Sequence, residues 1–240
     1  VVSIEVELPH VYSGKVRDIY DAGDDQWLLV TSDRLSVFDV VMAEPVPDKG
    51  RVLTAMSAFW FEHLADVVPS HLISTELADL PHGAQNPELA GRVMLCRKAE
   101  MLPVECVVRN VCAGSMAKRY GIAEGTKLAE PIFEFFLKSD ALHDPLVSEE
   151  HIIAFGWASQ QDLDDIIALA LRVNDFLSGV MMGVGIRLAD FRIEVGRIWE
   201  GDYMRLIVAD EISPDSCRLW DLRGTADRGE GPLEPGPLAD

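Results

Sequence analysis

Several short stretches hold charged side chains at spacings that chemistry can use. In LADFRIEVG, period-two alternation puts Asp190, Arg192 and Glu194 on one face of a strand and Phe191, Ile193 and Val195 on the other. A second apolar run, LIVADE, delivers Asp210 across a hairpin, from where it could supply an oxygen ligand beside Glu194. Magnesium commonly takes one or two carboxylates and completes its shell with water and phosphate oxygens, which suits this modest supply. A structural ion pair with Arg192 fits the same residues equally well. In SGKVRD, Lys15 and Arg17 are two apart in an expected strand and so share a face just after Gly14, a residue that lets backbone approach a ligand. Such a face can hold nucleotide phosphates, or it is an exposed basic hairpin; the P-loop pattern G-x-x-x-x-G-K-[ST] is absent.

The stretch LPVECVVRNVCAGS, Leu102 to Ser115, is a buried strand interrupted by charge. Glu105 and Arg109 are four apart, hence on one strand face, among Val104, Cys106, Val107 and Val108. Isolated charges there cost several kcal/mol unless they are paired or put to use. FFLKSDALHDP places Lys138, Asp140, His143 and Asp144 in a polar turn after an aromatic run. SPDSCRLWD presents Arg218 from a turn, suited to bidentate contact with phosphate or carboxylate, although a single arginine is more often in a surface salt bridge. TSDRLSVFD and PDKG set Asp33, Arg34, Ser36, Asp39 and Lys49 in expected turns. With no H-x-H, H-E-x-x-H or G-x-S-x-G element, zinc and serine-hydrolase chemistry are disfavoured. Cations, carboxylates and no nucleophilic side chain are what phosphoryl transfer needs.

The elements that must position these residues are legible in outline. The 240 residues, 48% of them hydrophobic, suffice for one large domain or two lobes. Forty acidic against twenty-one basic residues leave a net charge of −19, which speaks against nucleic acid or an anionic membrane as partner, so an anionic substrate must meet a local basic pocket. Four cysteines without a C-x-x-C pair suggest buried thiols in a reducing cytosol, and the start lacks a basic region followed by an apolar one. No run of about 18 consecutive apolar residues occurs. Val11 to about Val41 predicts a hairpin turning at AGDD, Val52 to Leu64 a helix, and the segment around 79–88 a surface loop. MAKRYG predicts a short helix closed by Gly121. The best helix is SQQDLDDIIALALRVNDFLSGVMM, with a Ser159/Asp162 capping box and a core stripe of Leu163, Ile166, Ile167, Ala170, Val173, Leu177 and Val180. A last hairpin turns near Glu200-Gly201-Asp202. Strands first and helices later, without βαβ alternation, predict an α+β fold. The expected division is a β-rich lobe at 1–101, an α+β lobe at 102–222 and a Gly/Pro-rich tail at 223–240 without fixed structure.

This combination resembles the phosphoribosylaminoimidazole-succinocarboxamide synthase family, the SAICAR synthetases of purine biosynthesis. LPVECVVRNVCAGS fits that family's signature of Pro-x-Glu, an apolar pair, Arg and Gly-Ser, and SGKVRDIYD, SDRLSVFD, PDKGRVLTAMSAFWF, KSDALHDP, LADFRIEVG and ADEISPDSCRLW match further blocks in order, over about residues 11 to 221. The resemblance implies a two-lobed fold similar to ATP-grasp and kinase-like nucleotide binders, with antiparallel sheets and flanking helices. It implies a cytoplasmic, ATP- and magnesium-dependent carbon–nitrogen ligase that joins carboxyaminoimidazole ribonucleotide to L-aspartate through an acyl phosphate, and a homo-oligomer. ATP would be held by Gly14, Lys15, Val16, Arg17, Lys98, Met101, Leu102 and Val104, and magnesium by Glu194 and Asp210. The ribonucleotide would face Glu105, Arg109, Gly114, Ser115, Asp144, Arg192 and Arg218, with Lys138, Asp190, Arg192, Glu194 and Asp210 as the catalytic set. Two departures stand out: Arg192 replaces the family's usual lysine and Val195 a phenylalanine, and only Asp227-Arg228 remains of a closing C-terminal helix. They leave open a paralogue that binds nucleotide or ribonucleotide without turnover, and the altered tail predicts weakened activity or stability.

Overall fold

The computed structural model describes residues 5–37 and 40–223. The expectations for Asp39 and for the tail from residue 224 onward lie outside the described residues. Residues 5–63 with 70–99 form one compact unit, and 64–69 with 100–223 another.

The first unit contains β1 (His10–Ser13), β2 (Arg17–Gly23), β3 (Gln26–Thr31), the two-residue strands β4 (Ser36–Val37) and β5 (Val40–Val41), α1 (Lys49–His63), β6 (Leu72–Ser74) and β7 (Val93–Arg97). Five of the strands form an antiparallel sheet in the order β1-β2-β3-β7-β6. The AGDD turn forms as expected, with Gly23, Asp24 and Asp25 all at positive φ. Alternation along β3 and β7 sends Leu28, Val30, Val93 and Leu95 to one core and Leu29, Met94 and Cys96 to the other side. The segment around 79–88 runs along the surface as expected, with Asp79, His82, Gln85, Pro87 and Glu88 exposed, but it is pinned to the core. Three short 3-10 turns run through it, and they drive Leu80, Ala84 and Leu89 into the first of these cores, because the Pro and Gly bends recur at the spacing of its few apolar residues.

Helix α1 begins three residues earlier than its apolar pattern suggests, and Lys49 is its first residue rather than a turn position. Asp33 explains this. Its carboxylate accepts from the Gly50 and Asp48 amides at 3.0 and 3.3 Å, placing negative charge at the helix N-terminus. It also makes a bidentate pair with Arg92 at 2.5 and 2.9 Å. A Cβ on Gly50 would fall 2.5 Å from the Thr31 carbonyl and 2.7 Å from Arg92, so only glycine fits this junction.

The second unit contains β8 (Glu100–Val111), α2 (Gly114–Tyr120), β9 (Lys127–Leu137), β10 (Leu146–Val147), α3 (Glu149–Ala154), α4 (Gln160–Gly183), β11 (Ile186–Glu200), β12 (Tyr203–Ala209) and β13 (Cys217–Asp221). Its antiparallel sheet runs β10-β9-β8-β11-β12, and β13 pairs with the first half of β11 while β12 pairs with the second. Helix α4 packs on β11, β8 and β12. The Ser159/Asp162 capping box forms, as does the left-handed Gly121 cap of α2. In the buried stripe of α4, Leu163, Ile166, Ala170, Val173 and Leu177 are joined by Leu169 and Met181, whereas Ile167 is half-buried and Val180 exposed. Helical geometry accounts for the exchange: Met181 follows Leu163 by five turns of about 3.6 residues and returns to its azimuth, and Val180 does not. By length and composition α4 also passes as a membrane span, but its apolar stripe faces the sheet. All four cysteines are buried and free, and burial pushes the Cys217 thiol up to about 12, far from a reactive thiolate.

The Arg92 hydrogen bonds, aided by the Gly50 and Asp48 amides and opposed by burial, hold the Asp33 carboxyl below its ordinary value of 3.8. A lowered value means that its contribution to stability is complete above 3.8 and is lost as pH falls through the folded value. Asp33→Ala is therefore expected to cost about 1–3 kcal/mol in urea unfolding at neutral pH. The gap from wild type should close on acidification; a gap that persists unchanged in acid would show that this pair does not carry the difference.

Candidate functional site

In the first unit, the chain reverses at Gly14. Its N–H donates to the Arg17 carbonyl at 2.7 Å, closing a four-residue turn between β1 and β2. Lys15 and Val16 therefore lie in this turn, and only Arg17 is in a strand, so the expectation that Lys15 and Arg17 share a strand face is corrected. Alternation continues across the glycine in sequence, but the backbone does not. The turn is clamped from Ser32 to Arg34. The Ser32 amide and hydroxyl both donate to the Val16 carbonyl, at 2.9 and 2.8 Å. Arg34 Nη2 donates to the Gly14 carbonyl and to Asp18, each at 3.2 Å. Lys98 sits 3.1 Å from Asp21 with its ammonium 4.2 Å from the centre of the Trp27 ring, an arrangement that fixes it at the β2–β3 edge.

In the second unit, Met101, Leu102 and Val104 lie at the start of β8, where Leu102 and Val104 are buried and Met101 is exposed. Register then assembles the charged residues. Asp190 stands opposite Arg109 of β8 and Arg218 of β13, and Glu194 stands opposite Glu105. Glu134 of β9 pairs with Val107, and Phe136 with Glu105. Directly paired residues share a face, so Asp190, Arg192, Glu194, Glu105, Arg109 and Glu134 all project from one side of the sheet. The opposite side carries Phe191, Ile193, Val195, Cys106 and Val108, all buried. Glu105 and Arg109 thus share a face, as their spacing requires.

At one end of this face, every donor nitrogen position of the buried Arg109 is engaged: Nε with Glu134 at 2.9 Å, Nη1 with Asp190 at 2.9 Å and Nη2 with Ser115 at 3.0 Å. Burial works against the Arg109 charge, but Asp190 and Glu134 outweigh it and raise its pKa. Arg218 lies 3.7 Å from the same Asp190 oxygen and 4.0 Å from Glu124, and Arg119 lies 3.1 Å from Glu134. Gly114 has φ +55°, and a Cβ there would land on the Arg218 guanidinium. Glu134 and Arg119 escaped sequence reasoning. The signal for Glu134 was present in PIFEFFL, one carboxylate inside an aromatic run, the pattern that singles out Glu105 and Arg109.

At the other end, Lys138 Nζ is 2.7 Å from Glu194 Oε2, and Arg192 is 3.7 Å from Glu105. Asp210 follows β12 with φ +59° and its charge acts on Glu194. Burial, then Asp210, raises the Glu194 pKa against the opposing pull of Lys138, and burial raises that of Glu105 despite Arg192. Burial opposes the Arg192 charge, but Glu105, Asp210 and Glu194 raise its pKa overall. Asp144 accepts from the Ser139 amide at 2.6 Å within the turn after β9. Among the described residues no cluster of three or more Asp, Glu, His or Cys side chains forms a complete metal cage. The Glu194–Asp210 pair, crowded by its own repulsion, fits a divalent ion that brings water and phosphate oxygens with it.

Residues 10–233 match the family model of the SAICAR synthetases. A phosphoribosylaminoimidazole-succinocarboxamide synthase of Jannaschia sp. (strain CCS1) is 51% identical over 215 residues, 88% of this chain and 79% of the relative. The crystal structure of the synthase of that name from Ehrlichia chaffeensis superposes with a TM-score of 0.79 at 36% identity, covering 90% of this chain and 86% of that one. A SAICAR synthetase (Type-2) in complex with ADP gives 0.77 at 34% identity over 89% and 85% of the two chains.

The Gly114–Arg218 approach generates a test. Gly114→Ala combines a left-handed backbone with a side chain driven into a guanidinium, and should lower stability by at least about 1 kcal/mol. A thermal midpoint within experimental error of wild type would place Arg218 elsewhere.

Proposed function

The chain belongs to the SAICAR synthetase family, and from that premise we propose how its own residues carry the reaction. It is an ATP-dependent ligase of purine biosynthesis that joins carboxyaminoimidazole ribonucleotide to L-aspartate, giving SAICAR, ADP and phosphate. Identity near one half over most of its length to synthases of that name favours this activity over a paralogue without turnover.

The substrate carboxylate attacks the γ-phosphate to give an acyl phosphate, and the aspartate amine then forms the C–N bond and expels phosphate. The observation that supports the residue assignment is the two-ended charged face of the second unit. Arg109, Arg218 and Ser115 gather at one end, and Lys138, Glu105, Arg192, Glu194 and Asp210 at the other. Asp190 and Glu194 mark those ends, about 13 Å apart along the strand, the scale of a ribonucleotide. Arg218 and Ser115 meet the ribonucleotide phosphate, and Arg109, whose donors are committed, orients Ser115 and Asp190 while adding positive charge. Glu105, Asp144 and Arg192 face the base and its carboxylate.

Glu194 and Asp210 hold magnesium. The ion supplies Lewis-acid neutralisation of charge on the transferring phosphoryl group. Arginine at position 192 keeps the charge of the family's lysine but spreads it over a planar fork, which forms an ion pair with Glu105 at 3.7 Å. In the first unit the Gly14–Arg17 turn meets the ATP phosphates, with Lys15 and Arg17 as cations; in the second unit Met101, Leu102 and Val104, at the start of β8, meet adenine. Lys98, braced by Asp21 and Trp27, adds a cation to the first unit's share of the nucleotide site. The enzyme acts in the cytoplasm as a homo-oligomer.

Glu194→Gln is expected to lower turnover by about 100-fold or more while leaving the circular dichroism spectrum intact. The assay supplies ATP, magnesium, aspartate and the ribonucleotide and follows product absorbance and ADP. An active variant with unchanged magnesium dependence would remove Glu194 from the metal site. Arg34→Ala should loosen the glycine turn, raising KM for ATP several-fold with kcat within about twofold; an unaltered KM would sink the clamp.

A further inference from the structure

We propose that Lys138 is a reserving counter-ion for the Glu194–Asp210 pair, one that keeps free divalent cations out and yields its place when a nucleotide arrives. The proposal rests on the magnesium reading of those two carboxylates and concerns the order in which the site fills.

The geometry is specific. Lys138 directly follows β9, and its backbone N–H donates to the Pro103 carbonyl at 2.8 Å, which fixes its Cα beside the neighbouring strand. From that anchor the side chain reaches Glu194 Oε2 at 2.7 Å. Arg192, the other cation of the cluster, is turned to Glu105. Glu105, Glu194 and Asp210, with Asp144 and Glu211 near them, confront Lys138 and Arg192, so carboxylates outnumber cations in this cluster. A bare divalent ion entering this cluster shares the Glu194 carboxylate with an ammonium and bears the repulsion of that ammonium at close range.

A nucleotide changes the balance. Its phosphates offer the flexible lysine stem a more highly charged partner than a single carboxylate, and they bring the metal with part of its oxygen shell in place. Lys138 then exchanges Glu194 for phosphate, and Glu194 exchanges the ammonium for the metal. One side chain thereby couples metal affinity to nucleotide occupancy, and the coupling is reciprocal.

The test measures Mn2+ binding to the full chain by electron paramagnetic resonance, with and without ADP. Lys138→Met and Lys138→Gln should bind Mn2+ about 10-fold more tightly than wild type in the absence of nucleotide, the scale of removing one nearby positive charge. Lys138→Arg should behave as wild type, and adding Glu194→Gln to Lys138→Met should abolish the gain. Circular dichroism verifies folding of each variant. If Met and Gln variants both bind Mn2+ no more tightly than wild type, the reserving role is overturned. If Glu194→Gln leaves Mn2+ binding with ADP unaltered, the metal reading itself fails, an outcome separate from the first.

Discussion

A carboxylate held between two guanidinium groups organises the second unit. Asp190 lies in β11, with Arg109 opposite on one neighbouring strand and Arg218 opposite on the other. Removing any one of the three would leave buried charge uncompensated, a cost of several kcal/mol. The network continues from Arg109 to Glu134 and Ser115, and from Glu134 to Arg119, so strands β9, β8, β11 and β13 and helix α2 are tied by charge on the face that the core helix does not touch. An acidic protein thereby keeps a compact group of arginines on one face of a sheet, each set against carboxylates.

Both units use one device, a carboxylate that joins backbone to cation. In the first, Asp33 binds Arg92 and the first amides of α1. In the second, the Asp162 carboxylate accepts from the Ser159 amide at 2.9 Å in the capping box of α4 and from Arg197 of β11 at 2.8 Å, which sets the helix against the sheet it covers. Helix position and strand register are therefore linked, and the side chains on the far face inherit their placement from packing on the near one.

Much of this was legible in the residues. Alternation in LADFRIEVG placed Asp190, Arg192 and Glu194 on one face, and spacing did the same for Glu105 and Arg109, because strand side chains alternate whatever the tertiary context. Turn chemistry was less transparent. The β1–β2 reversal at Gly14 interrupts an apparently continuous strand, so Lys15 was assigned to the wrong kind of element. The segment around 79–88 has loop composition but core burial at Leu80, Ala84 and Leu89, since a few apolar residues suffice to pin a polar segment. Partnerships between distant strands, such as Glu134 with Arg109 or Arg92 with Asp33, depend on register that no local pattern encodes.

The direct opposition of Glu105 and Glu194 has a consequence for how stability and purpose are divided across a single strand pair. Like charges facing each other weaken a ladder, but each of these is answered by a cation, Glu105 by Arg192 and Glu194 by Lys138, while on the reverse side Cys106 meets Ile193 and Val108 meets Phe191. One surface of this strand pair is thus held by balanced charge and the other by apolar contact.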